Sequence, residues 1–76
     1  MKINLNKKIV VVGAGYWGTI IVNTLYKLKY KNIHILDKNK FNLKVIKKRF
    51  PKLNIYTNYI NLIKNNSFKI FIFATP

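Results

Sequence analysis

Two features of this 76-residue sequence have the residue types and spacing to do chemistry. The first is Gly13-Ala14-Gly15-Tyr16-Trp17-Gly18, which follows the β-branched run Ile9-Val10-Val11-Val12 and precedes Thr19-Ile20-Ile21-Val22. The second is Asp37, the only acidic residue in the chain. It lies about 20 residues beyond the glycines, the spacing of the acid that binds ribose hydroxyls in a dinucleotide site. Each glycine has a role in such a site. Gly13 allows a tight turn out of a strand, Gly15 lets a pyrophosphate approach the backbone, and Gly18 lets the helix pack closely. Free amides near Tyr16 and Trp17, with the positive end of the helix dipole, would face the phosphates. The plain alternatives are glycines that only shape a turn and an aspartate that only caps one.

Those residues need a strand before the glycines and a helix after them, and the pattern supplies both. Lys7–Val12 reads as a strand with a continuous apolar run, the mark of a parallel strand buried on both faces. The spacing predicts a helix from Tyr16 to about Lys29, with Gly18, Ile21, Val22, Leu25 and Leu28 on one apolar face. Asn32–Asp37 reads as a second strand. A second helix follows to about Phe50, with Leu43, Ile46 and Phe50 inward and Lys40, Lys44, Lys47 and Lys48 outward, a solvated row. Pro51 stops it. Leu53–Thr57 reads as a third strand, and Asn58 caps a short helix, Tyr59–Lys64. After a turn at Asn65-Asn66-Ser67, Phe68–Ala74 reads as a fourth, wholly apolar strand. The expected fold class is α/β: a partial Rossmann fold, β-α-β-α-β-α-β, with a parallel sheet in the order 3-2-1-4. The ligand crevice falls where the order reverses, between strands one and four.

Composition narrows the classes of function. Half of the residues are apolar, enough for a core. With no cysteine, disulfides, thiolate metal sites and a thiol nucleophile are excluded, and a cytoplasmic setting is expected. The net charge of +14 could serve a nucleic acid or an anionic membrane. Its accompaniment by Asn, Ile, Phe and Tyr, with Arg49 as the single arginine, fits compositional drift better than a nucleic-acid surface, which uses arginine for bidentate base and phosphate contacts, so no specific nucleic acid partner is expected. The uncharged stretch Ile9–Tyr26 approaches the length of a membrane span. Its glycines, Asn23, Thr19 and Thr24 argue against one, and no membrane partner is expected. His34, among Ile33, Ile35 and Leu36, reads as a packing residue. Trp17 reads equally as a packing residue or as a shield for a cofactor. No metal-ligand set and no catalytic residue can be nominated.

Val12-Gly13-Ala14-Gly15-Tyr16-Trp17-Gly18, Arg49-Phe50-Pro51 followed by Ile55-Tyr56-Thr57-Asn58-Tyr59, and Ile72-Phe73-Ala74-Thr75-Pro76 together resemble the Gfo/Idh/MocA oxidoreductases, the glucose–fructose oxidoreductase and inositol dehydrogenase family. The resemblance runs from Lys8 to Pro76. It implies an NAD(P)-dependent oxidoreductase acting on a sugar, polyol or nucleotide sugar. Carried over by position, Gly13, Gly15, Tyr16, Trp17 and Gly18 would contact the pyrophosphate and Asp37 the adenosine ribose. Ala74, Thr75 and Pro76 would line the pocket towards the nicotinamide. An acid at position 37 favours NAD over NADP, a preference softened by Lys38 and Lys40. The chain departs from the family in Asn58 and Asn61, where acids are common, and in having no counterpart of the family's catalytic lysine or histidine.

The expectation is therefore the N-terminal portion of an NAD(P)-binding domain, residues 1–76, truncated and without a substrate domain. Strand four should need cover at its edge from a C-terminal segment or a partner chain. Two other readings stay open: a stand-alone nucleotide-binding regulatory module, and a basic nucleic-acid-binding protein.

Overall fold

The structure, a computed structural model, describes residues 3–64 and 70–74. The expected turn at Asn65–Ser67, the start of the fourth strand at Phe68 and Lys69, and Thr75 and Pro76 lie outside the described residues. Strands β1 (Ile9–Val12), β2 (Ile33–Leu36), β3 (Asn54–Tyr56) and β4 (Ile70–Phe73) alternate with helices α1 (Tyr16–Lys27), α2 (Lys40–Arg49) and α3 (Tyr59–Lys64). All strand pairs are parallel and the order is β3-β2-β1-β4, as expected. The register sets Ile9 beside both Ile33 and Ile70, and Val12 beside both Leu36 and Phe73.

One face of this sheet is well filled. Ile9, Val11, Ile33 and Ile35 pack with Val22 and Leu25 of α1 and Leu43 and Ile46 of α2, all buried. Each such side chain contributes about 1.5–3 kcal/mol by leaving water. Among the described residues, only the six-residue α3 covers the other face. Val10 and Leu62 are buried there, whereas Phe73 is 69% exposed. Strand β4 is thus apolar on both sides, yet its alternate residues are only half-buried or exposed, because it forms the sheet edge. No helix among the described residues is long and apolar enough to cross a membrane.

The element ends correct the sequence reading in three places. The first helix stops at Lys27, so Leu28 is not on its apolar face but is exposed as the C-cap. There the Lys29 N–H donates to the Tyr26 carbonyl and the Tyr30 N–H to the Leu25 carbonyl, a Schellman closure. Its left-handed position is filled by Lys29, at φ 74°, in place of glycine. Lys47 leaves the solvated row: it is half-buried, and its Nζ donates to the Leu53 carbonyl. Phe50 lies just past α2 rather than within it, extended ahead of Pro51 and packed against the core.

Candidate functional site

The expected site residues within the described part of the chain gather at the carboxyl end of β1, β2 and β4. Gly13 leaves β1 at φ 113°, a conformation L-residues rarely adopt, and its N–H donates to the Leu36 carbonyl at the end of β2 (2.8 Å). Gly18 belongs to the same joint. A Cβ built on it would lie 1.8 Å from the Gly13 carbonyl oxygen, so the first turn of α1 sits directly on the backbone of the turn before it. Ala74, just past β4, is buried and donates its N–H to the Val12 carbonyl (2.8 Å), which brings the end of β4 beside the glycine turn.

Gly15 differs from both. Its φ is −79°, open to any residue, and a Cβ placed on it meets nothing within 4 Å. Nothing in the chain's own packing requires glycine at this position. Gly15 is also the N-cap of α1, where it offers no side-chain acceptor. The other two helices are capped by asparagine. The Asn39 Oδ1 accepts from the Asn42 N–H (3.1 Å) and the Asn58 Oδ1 from the Ile60 N–H (2.7 Å). The first-turn amides of α1 therefore face the end of the sheet with no side-chain cap, at the positive end of the longest helix.

Asp37 ties the two neighbouring loops together. Its Oδ2 accepts from the Ala14 N–H (2.7 Å) and its Oδ1 from the Asn39 N–H (2.8 Å). A carboxylate has about four acceptor sites, so roughly two are left for a ligand hydroxyl. The aspartate is both a turn residue and the acid beside the glycine turn; the two readings are compatible. Tyr16 and Trp17 are 75% and 56% exposed and meet edge-to-face, with ring centroids 5.3 Å apart. Trp17 thus packs at the helix start, on Tyr16, and not in the core.

Sequence reading missed a hollow of about 520 Å³ at this same end, lined by Val12, Leu36, Tyr59, Phe71 and Phe73. The signal was present in the alternation of Phe71 and Phe73 with Ile70 and Ile72. Its apolar walls suit a flat ring better than a charged group.

His34 lies apart from these residues, near the start of β2. It is buried and stacked on Tyr56. The Asn32 Nδ2 donates to the Asn6 carbonyl, which turns the Asn32 Oδ1 towards the His34 Nε2 at 2.7 Å. Nε2 then carries the proton, and Nδ1 accepts from the Tyr56 hydroxyl (3.2 Å). Burial, and secondarily the Lys8 charge, hold His34 below the usual histidine range. It has the packing role that its neighbours in sequence suggested.

No family model, curated protein or solved structure matches this chain.

Proposed function

We propose that the carboxyl end of this sheet binds NAD, and that the chain is the cofactor-binding N-terminal part of an oxidoreductase of the Gfo/Idh/MocA kind. The observation that carries the reading is Gly15. It is a glycine that the chain's packing does not require, set over helix amides with no side-chain cap, where a Cβ would stand in the path of a ligand approaching the backbone. Asp37 supports it, having acceptor capacity left over and lying across the turn from Gly15.

In this reading the amides of Tyr16 and Trp17 donate to the pyrophosphate, while Gly13 and Gly18 hold the turn that aims them. Asp37 accepts from the adenosine ribose. Ala74 leads towards the nicotinamide. When bound, NAD supplies the hydride acceptor. No residue of the site can be nominated to move the substrate proton, and the substrate, a sugar, polyol or nucleotide sugar, follows from the family resemblance alone. A segment or partner chain beyond β4 would cover Phe73 and the sheet edge. NAD is favoured over NADP because Asp37 would repel a 2′-phosphate. The cysteine-free sequence is in keeping with a cytoplasmic setting.

The test is an NAD titration followed by the fluorescence of Trp17, the only tryptophan. A saturable change is expected in the parent protein. Gly15→Val should abolish it at a stability cost of only about 1 kcal/mol, that of a poor N-cap residue, since a Cβ at this position meets no neighbour. A folded parent that stays silent up to millimolar NAD would sink the proposal, as would a Gly15→Val protein that binds as tightly as the parent.

A further inference from the structure

We propose that the opposite, amino-terminal end of the sheet binds a single-stranded nucleic acid, its phosphates held by Lys29, Lys31, Arg49 and Lys52 and its bases set against Tyr26 and Tyr30.

Charge is the first reason. In an all-parallel sheet, strand starts and helix ends share one end of the molecule. Among the described residues, only Lys38 and Lys40 lie at the carboxyl end, beside Asp37, and Lys44 lies midway along α2. Every other described lysine, and Arg49, belongs to the amino end. Helix dipoles account for Lys27, Lys48 and Arg49 in the last turns. They do not account for Lys7 and Lys8, Lys31, or Lys52, which lead into β1, β2 and β3.

The second reason is shape. Tyr26 and Phe50 stack with centroids 5.5 Å apart and planes 25° from parallel. The Arg49 guanidinium carbon stands 5.3 Å from the centre of the Phe50 ring. With Pro51 and Lys52 they line a hollow of about 290 Å³. A second hollow, of about 380 Å³, shares Tyr26 and Lys52 with it and adds Lys29, Tyr30 and Lys31. Rings interleaved with cations, and with no acid at this end to repel phosphate, are the chemistry of a groove that tracks a single strand.

Lys29 is the third. It occupies the left-handed position of a Schellman closure, where glycine fits without strain. A lysine kept there places its charge on the rim of the groove.

A duplex hides its base faces from such a groove. An anionic bilayer calls for a cluster of protruding apolar side chains; of the large apolar side chains in the two groove segments only Leu28 protrudes, while Tyr26, Tyr30 and Phe50 are half-buried. Lysines would hold the phosphates as point charges, and Arg49 is the one guanidinium beside the rings. None of this depends on NAD binding at the other end.

The test is fluorescence anisotropy with a labelled oligothymidylate of about 12 nucleotides. Two variants of equal net charge are compared: Lys29→Glu with Lys31→Glu and Lys52→Glu, and Lys38→Glu with Lys40→Glu and Lys44→Glu. The first should bind about tenfold more weakly than the second and lower the log–log salt slope by about two, the value for three lost phosphate contacts. Lys29→Gly should fold at least as well as the parent and yet bind more weakly, which separates binding from folding. An abasic strand of equal length should bind the parent about tenfold more weakly. Equal losses in the two triple variants, an abasic strand bound as tightly as the thymidylate, or capture by phosphatidylserine vesicles without binding of the thymidylate would each overturn the proposal.

Discussion

Among the described residues, two positions have a left-handed backbone, one at each end of the sheet: Gly13 at φ 113° and Lys29 at φ 74°. At the carboxyl end the chain uses glycine where the backbone turns, and again where α1 meets the turn and where α1 begins. Side chains are withdrawn and amides are left bare. At the amino end the chain keeps a side chain where glycine would be less strained, and the neighbouring loops add more cations. The first end is suited to be approached by a ligand through the backbone, the second through its side chains. The difference teaches that a glycine is informative only when its reason is known. Gly13 and Gly18 are required by the chain's own geometry, Gly15 is not required by its packing, and a glycine missing from position 29 carries as much information as one that is present.

The contrast can be broken most forcefully at Gly18. Gly18→Ala places a methyl group 1.8 Å from a backbone oxygen that cannot move without opening the turn. A loss of about 3 kcal/mol or more is expected. In a domain of this size, with stability of roughly 4–11 kcal/mol, that should appear as a large fall in the urea midpoint by circular dichroism. A Gly18→Ala midpoint equal to that of Gly15→Val would erase the distinction between the two glycines.

Asp37→Ala should be next. It removes two charge-assisted hydrogen bonds, to Ala14 and Asn39, from a half-buried carboxylate, and a loss of about 2 kcal/mol is expected. Asp37→Asn, which keeps one acceptor oxygen, should lie between. If Asp37→Ala unfolds at the same urea concentration as the parent, the aspartate does not join the loops.

Smaller still is the relief at the amino end, where Lys29→Gly should stabilise by up to about 1 kcal/mol. The pH dependence should be the mildest effect. His34 is held neutral by burial, so its proton affinity in the folded state is below the ordinary value of 6.5. As pH falls through 6.5 the unfolded chain takes up a proton first, and stability falls with it. It is fully present above that value and levels off below the folded pKa. With one histidine and one acid in the sequence, few other groups titrate in this window. Urea midpoints at pH 7.5 and 5 should therefore drop in the parent and drop less in His34→Gln; equal drops would assign the effect elsewhere.

The strand order and the alternation of elements were legible because parallel strands buried by helices leave continuous apolar runs, and Pro51 and Asn58 mark their boundaries. The position of Asp37 at the end of β2 was legible for the same reason. What was not legible depends on how the chain closes in space. Leu28 falls on the helical spacing of α1, but the helix ends one residue earlier through a closure that has no glycine to announce it. Lys47 looks like its exposed neighbours and is drawn in by the Leu53 carbonyl. The groove between Tyr26 and Phe50 joins residues far apart in sequence, and no spacing rule connects them. The bond between Asp37 and Ala14 could not be read either, since it depends on the turn geometry set by Gly13.

The shortness of the strands has a consequence for a molecule carrying an anion at each pole. A four-residue strand spans about 13 Å, and the loops at its two ends add to that separation. Mobile ions damp electrostatic forces over about 8 Å at physiological ionic strength. Repulsion between the two guests would therefore be largely quenched, and filling one pole would leave the affinity of the other nearly unchanged. The two occupancies would be independent and additive rather than competitive.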